Sequence, residues 1–239
     1  MRCWASCLGD CGNGSSREHY VSDGIFDGES VTVVGLPWCR DEPRTVGLSS
    51  AVANILCSTH NSALSDFDNE AAKLSKFLVK AYRHPQRGDS VSLNGYLLEK
   101  WALKTFLNLG YLQALHRDQS NPIEPPESLV RYLYRNSSVP VGVGLYHVSN
   151  TIGPANVEAG LSWNAIQTVQ QPNHVRGVTM VFYGVRLVVA IDPLRSEDKI
   201  RNMGMVNGFD YSQSEVIYRP SDITFRSSSG GTKSIQLEW

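Results

Sequence analysis

The sequence lacks an apolar run of the roughly 20 residues that a membrane-spanning helix needs. Its most apolar stretch, residues 178–191, is interrupted by Gly184 and Arg186 and is interpreted as two strands. The first residues also lack the apolar segment of a signal peptide. We therefore expect a cytoplasmic protein without membrane contact. No internal repeat and no low-complexity tract is present.

The sequence also lacks a large net charge, because it contains 22 basic and 23 acidic residues. This balance argues against a protein that coats nucleic acid without specificity. The charges are nevertheless distributed unevenly. Residues 1–70 contain ten acidic and four basic residues, whereas residues 73–104 are mainly basic. The pattern is compatible with a cation site beside a phosphate-contacting surface, and equally with two solvated helix faces.

Cysteine is scarce and its number is odd. Of five cysteines, four lie within the first 39 residues, and Cys57 stands three residues before His60. In a chain without a secretion signal, this usage favours metal binding over disulfide bonds. Cys57-x2-His60 has the spacing of a zinc knuckle, which needs a second pair from elsewhere in the chain.

The second pair is less certain, because Cys3-x3-Cys7 and Cys7-x3-Cys11 have the same spacing. We favour Cys7 with Cys11, since Gly12 directly afterwards eases the knuckle turn. Cys3 remains a substitute ligand. Cys39 is interpreted as a buried apolar thiol.

Three polar residues next to these pairs are candidates for catalysis. His19 is the candidate general base, because imidazole changes its charge near neutral pH. Glu18 and Asn61 offer the hard oxygen donors that magnesium or manganese prefers. Each also has a structural interpretation: a surface histidine, an ion-paired carboxylate and a turn asparagine. Asn54 is a second candidate asparagine, which would orient His19.

Together, a cysteine pair, Glu18-His19 and Cys57-x2-His60-Asn61 opening a helix resemble the zinc-stabilised branch of the HNH, or ββα-metal, endonucleases. The resemblance covers about residues 1–80. It departs from the family in using Glu where Asp is commoner, His as the last zinc ligand, and a long insertion between His19 and Cys57.

The resemblance implies a metal-dependent endonuclease that acts on DNA, with a restriction-like or anti-phage role by analogy only. It implies His19 as base, a magnesium or manganese ion on Glu18 and Asn61, and a structural zinc. The zinc ligands it implies are Cys7, Cys11, Cys57 and His60. The alternative is a non-catalytic, zinc-stabilised module that binds nucleic acid or protein.

The expected fold class is α+β. We expect an N-terminal zinc-anchored ββα-metal module over residues 1–84, a helical connector over 85–120, and an antiparallel β-rich region over 121–239. The last region has no assigned role, although it could bind a protein partner or self-associate.

The periodicity of apolar residues predicts the helices and strands. One helix is expected to begin at Ser65 and to end at Pro85, and a second to span Gly95–Leu109. Residues 121–126 are expected to form a linker. Strands are expected over 31–34, 139–145, 161–169, 178–182, 185–191, 215–218 and 235–238, with a tight hairpin at Tyr183-Gly184.

Overall fold

The computed structural model describes residues 3–12, 14–86, 90–115, 121–135, 137–148, 156, 158, 160–168, 171–192, 205–206, 209–210 and 216–239. Its α-helices are α1 (Ser58–Ser62), α2 (Ser65–Arg83), α3 (Gly95–Tyr111) and α4 (Glu127–Arg135). Its strands are β1 (Ser15–His19), β2 (Ser30–Val33), β3 (Arg44–Gly47), β4 (Val52–Cys57), β5 (Ser90–Asn94), β6 (Gly144–Val148), β7 (Leu161–Thr168), β8 (Gln171–Phe182), β9 (Val185–Ala190), β10 (Met205–Val206), β11 (Phe209–Asp210), β12 (Val216–Tyr218), β13 (Asp222–Arg226) and β14 (Thr232–Glu238). The expected α+β class is confirmed.

The chain divides into two compact units, and each is built from two separate segments. Unit 1 comprises Met1–Ala71 and Lys100–Val139, and unit 2 comprises Ala72–Glu99 and Pro140–Trp239. The boundaries predicted at residues 84 and 120 differ from this division, because they assume that each domain is one continuous segment.

Unit 1 contains two antiparallel strand pairs, β1 with β4 and β2 with β3. In the first pair Ser15 lies opposite Cys57, and His19 lies opposite Val52. The pairing is irregular between Ser16 and Glu18. Helix α1 begins directly after β4, so the β1–β4 pair is followed by a helix, and β2 and β3 lie between its two strands in sequence.

Helices α2 and α3 confirm the two helices expected from periodicity. Helix α2 begins at Ser65, as the sequence predicts, and α3 extends two residues beyond the predicted Leu109. One face of α3 is fully buried, and its residues Leu98, Trp101, Ala102, Phe106 and Leu109 are each 0 % exposed.

The basic character of α3 is not a surface property, which corrects one expectation. Lys104 is buried, and Lys100 is buried with its ammonium over the rings of Phe67 and Tyr132. These two lysines therefore do not contribute to a phosphate-contacting face.

Helix α4 was not expected, because the sequence interpretation treated residues after 121 as linker and β-rich chain. Pro125 and Pro126 precede the helix, and proline is well suited to a first helical turn. Its buried residues recur at helical spacing and are Leu129, Val130, Tyr132 and Leu133.

Unit 2 is rich in antiparallel sheet, as expected. Its largest sheet has the strand order β12-β6-β9-β8-β7, and a second has the order β13-β14-β5. Only the β14–β5 pairing is parallel among the described strand pairs. The expected hairpin between β8 and β9 is confirmed, with Tyr183 and Gly184 both at positive φ, as a type I′ turn requires.

Several predicted strands in this unit are displaced by a few residues. The strand predicted over 139–145 is β6 and begins at Gly144, and the one predicted over 178–182 begins at Gln171. Residues 169 and 215, at the ends of two predicted strands, lie outside the described part of the chain. Among the described residues, every helix is too short or too polar to span a bilayer.

Candidate metal centre

Three sulfur atoms and one imidazole nitrogen converge at the start of unit 1. They belong to Cys3, Cys11, Cys57 and His60, and their ligand atoms all lie within 4.8 Å of one another. The Nδ1 atom of His60 is 3.2 Å from the Cys57 sulfur, 3.4 Å from the Cys3 sulfur and 3.8 Å from the Cys11 sulfur. This group could hold a metal ion such as zinc.

The local chain explains how the four residues meet. Cys57 ends β4 and His60 lies in the helix that follows, so their spacing comes from one strand-to-helix junction. The N-terminal segment is held beside the same strand, because the amide of Trp4 donates to the carbonyl of Ile55 at 3.0 Å. Gly12 allows the close approach to α1, since a β-carbon there would lie 2.2 Å from the hydroxyl of Thr59.

The donor set and its dimensions fit zinc. A tetrahedron with ligand bonds of about 2.0–2.3 Å has edges of about 3.3–3.8 Å, close to the nitrogen–sulfur separations in this cluster. Burial and the neighbouring sulfur of Cys3 raise the pKa of the Cys11 thiol to about 12. Burial opposes ionisation of Cys57 too, but hydrogen bonds from the backbone amides of His60 and Gly12 lower its pKa. A divalent cation would offset the mutual repulsion of the thiolates.

Cys7 is not part of this cluster, which corrects the predicted ligand set. It lies in a 3₁₀ turn, Ser6–Leu8, between Cys3 and Cys11, and is exposed. The chain on either side of this turn places Cys3 and Cys11 in the cluster, whereas Cys7 lies at the surface. The predicted ligands Cys11, Cys57 and His60 are brought together, and the substitute Cys3 takes the fourth position. Cys39 is buried and outside the cluster, as expected.

Glu18 lies in a different environment from the one expected for a cation ligand. The residue is 4 % exposed, and its Oε1 atom is 2.7 Å from the ammonium of Lys104. The amide nitrogen of Asn108 donates to the same oxygen at 3.1 Å. The carboxylate is therefore balanced by a buried lysine of α3.

This ion pair belongs to a longer buried network. Lys104 also contacts Asp68 at 2.7 Å, and Asp68 accepts a hydrogen bond from Ser22. At one end of the network the indole of Trp101 donates to Ser22, and at the other the indole of Trp4 donates to Asn108. The network connects β1, α2 and α3 within unit 1.

His19 is accessible, unlike its neighbour Glu18. The side chain is 28 % exposed, and its Nε2 atom is 3.8 Å from the carboxylate of Asp23. The alternation of a strand explains the difference, because consecutive side chains point to opposite faces.

Asn61 connects α1 to β1. Its amide nitrogen donates to the hydroxyl of Ser16 at 2.8 Å and lies 3.4 Å from the carbonyl of Arg17. Asn54, the second candidate asparagine, is exposed on β4.

Glu18 and Asn61 do not fit a shared magnesium or manganese ion in this arrangement. The contacting oxygen of Glu18 is bound by an ammonium, and Asn61 presents its amide nitrogen, a donor, to β1. Asn61 thus contacts β1 at Ser16 and Arg17, directly before Glu18 and His19 in sequence, and the contacts of Glu18 and Asn61 are with other groups of the protein. Lys104 and Asn108, which determine the environment of Glu18, are 86 and 90 residues away in sequence, and no local pattern indicates them.

Comparison of the chain with protein-family models, with curated proteins and with solved structures finds no match.

Proposed function

We propose that the chain is an endonuclease that hydrolyses phosphodiester bonds in DNA, with His19 as general base. The observation that carries the proposal is the four-residue cluster, because it joins the N-terminal segment to the junction of β4 and α1. That junction follows an antiparallel strand pair, which is the strand–strand–helix order of a ββα-metal module.

The chemistry proposed for His19 needs an accessible imidazole. The side chain of His19 is 28 % exposed, so water can reach the imidazole. Proton transfer to such a base contributes typically about 10²–10⁴-fold to a rate. Structural zinc would fix the fold around this strand without taking part in the reaction.

The expected magnesium or manganese ion remains a prediction without assigned ligands, since Glu18 is engaged by Lys104. The ion pair between Glu18 and Lys104 favours a second candidate function. In that case unit 1 is a zinc-stabilised module that binds nucleic acid or protein without cleaving it. A buried carboxylate bound by a lysine and an amide is what a purely structural module would contain.

A plasmid-nicking assay with the full chain tests the proposal. Wild type, His19→Ala and the matched control His84→Ala, which removes another exposed histidine, are compared with magnesium, with manganese and with EDTA. We expect nicking by wild type and His84→Ala, and a loss of at least about 100-fold in His19→Ala. Equal nicking by all three proteins, or none at high concentration, would contradict the endonuclease and favour the binding module.

The remaining expectations are also proposals. A restriction-like or anti-phage role, a cytoplasmic location, and a protein partner or self-association through residues 121–239 are predictions from sequence.

A further inference from the structure

A line of polar contacts runs outward from His60. Its Nδ1 atom is directed at the three sulfurs, and its Nε2 atom lies 3.0 Å from Oδ1 of Asp10. The other carboxylate oxygen of Asp10 accepts a hydrogen bond from the guanidinium of Arg135 at the end of α4. Neither Asp10 nor Arg135 belongs to the ligand cluster.

We propose that Asp10 is a positioning residue of the zinc site, and that Arg135 holds the Asp10 carboxylate against His60. The inference rests on the zinc site but not on nuclease activity. An imidazole that binds a metal through Nδ1 must keep its proton on Nε2, and a carboxylate that accepts this proton fixes both tautomer and ring orientation. It also makes the metal-bound nitrogen a stronger donor.

Charge explains the need for Arg135. A zinc ion held by three thiolates and a neutral imidazole is already net negative, so a further carboxylate beside it is unfavourable. The guanidinium of Arg135 offsets this added charge. The pair of contacts therefore supplies the hydrogen-bond acceptor that His60 needs without increasing the negative charge of the centre.

The last turn of α4 also contacts the imidazole of His60 through an aromatic ring. Tyr134, next to Arg135, contacts the His60 ring edge-on with centroids 4.9 Å apart. The same tyrosine ring lies 5.9 Å from Trp4, whose backbone holds the N-terminal segment to β4. Helix α4 thus contacts His60 directly through the ring of Tyr134 and indirectly through the Arg135–Asp10 pair.

Zinc affinity of the purified full chain, measured by competition with a chromophoric chelator, tests the proposal. We compare wild type with Asp10→Asn and Arg135→Gln. Arg131→Gln is the matched control, because Arg131 is an exposed arginine of the same helix that pairs with Glu127 rather than with Asp10. We expect zinc to bind Asp10→Asn about 10–100-fold more weakly than wild type, and Arg135→Gln to show a smaller loss in the same direction. Arg131→Gln should bind zinc as wild type does.

The absorption spectrum of the cobalt-substituted protein separates positioning from general instability. In Asp10→Asn we expect shifted ligand-field bands with the sulfur-to-cobalt band retained, since only the imidazole is disturbed. Asp10→Glu, which keeps the carboxylate, should recover part of the affinity. Asp10→Asn with wild-type affinity and spectrum would overturn the proposal, as would an equal loss in Arg131→Gln. A wild-type chain that binds no zinc would overturn the metal site and this inference together, whereas absent nicking with intact zinc binding would leave both standing.

Discussion

Replacing Lys104 with methionine should destabilise unit 1 strongly. The substitution keeps an unbranched apolar stem of similar length but removes the ammonium that lies 2.7 Å from both Glu18 and Asp68. Glu18 would then be a buried carboxylate with only the Asn108 amide as a donor in this network. Removing one partner of a buried ion pair typically costs about 3–5 kcal/mol, because the other charge remains without compensation.

Most of this cost should come from Glu18. The side chain of Asp68 is 33 % exposed, so water can solvate it after the lysine is removed, and its contribution is correspondingly small. The double variant Lys104→Met/Glu18→Gln removes both buried charges. We expect it to recover more than half of the lost free energy of unfolding, since neutral replacement of a whole buried pair is often tolerated.

Urea unfolding monitored by tryptophan fluorescence is a suitable measurement, because the indoles of Trp4 and Trp101 are at the two ends of the network. With a slope of about 2 kcal/mol per molar urea, a loss of this size lowers the transition midpoint by about 1.5–2.5 M. A midpoint for Lys104→Met within about 0.5 M of wild type would refute the reasoning, as would a double variant no more stable than the single one.

Two further predictions concern other parts of the chain. Cys3→Ser should lose bound zinc whereas Cys7→Ser should retain one ion per chain, which elemental analysis of the purified proteins checks; the reverse result would restore the ligand set predicted from sequence. In unit 2, burial holds the pKa of His147 below its ordinary 6.5. As the pH falls below that value, the unfolded chain binds more protons than the folded chain does, so the free energy of unfolding decreases. Thermal unfolding between pH 7.5 and pH 5 should therefore show a smaller pH dependence in His147→Gln than in wild type, and identical profiles would contradict this.

Helices α2 and α3 were predictable because their signals are local. Helix α2 begins at Ser65, and the acidic residues of its first turn suit the positive end of the helix dipole. Asp68, in this first turn, contacts residues distant in sequence, because its Oδ1 atom accepts from Ser22 and Lys104. Local sequence thus determined where the helix starts but not which partner its first turn binds.

The cysteine–histidine cluster was predictable in kind, but not every residue in it was. Cys57 and His60 are close in sequence, and their spacing follows from one strand-to-helix junction. Cys3 and Cys7 have identical spacing to the next cysteine, so only the path of the turn Ser6–Leu8, which contains Cys7, selects Cys3. The environment of Glu18 could not be predicted, because its partner lies on α3 in a segment distant along the chain.

The construction of unit 1 from two separate segments fixes an order of events during synthesis. The ribosome releases residues 1–71 well before residues 100–139, which supply Lys104, Asn108 and Arg135. Until that later segment emerges, Glu18 has no ammonium partner and Asp10 has no guanidinium. A fragment that ends at residue 84 would lack Lys104 and Arg135 permanently. If such a fragment were insoluble or inactive, the missing helices α3 and α4 would explain the result, and it would not test the roles of His19 or of the cysteine–histidine cluster.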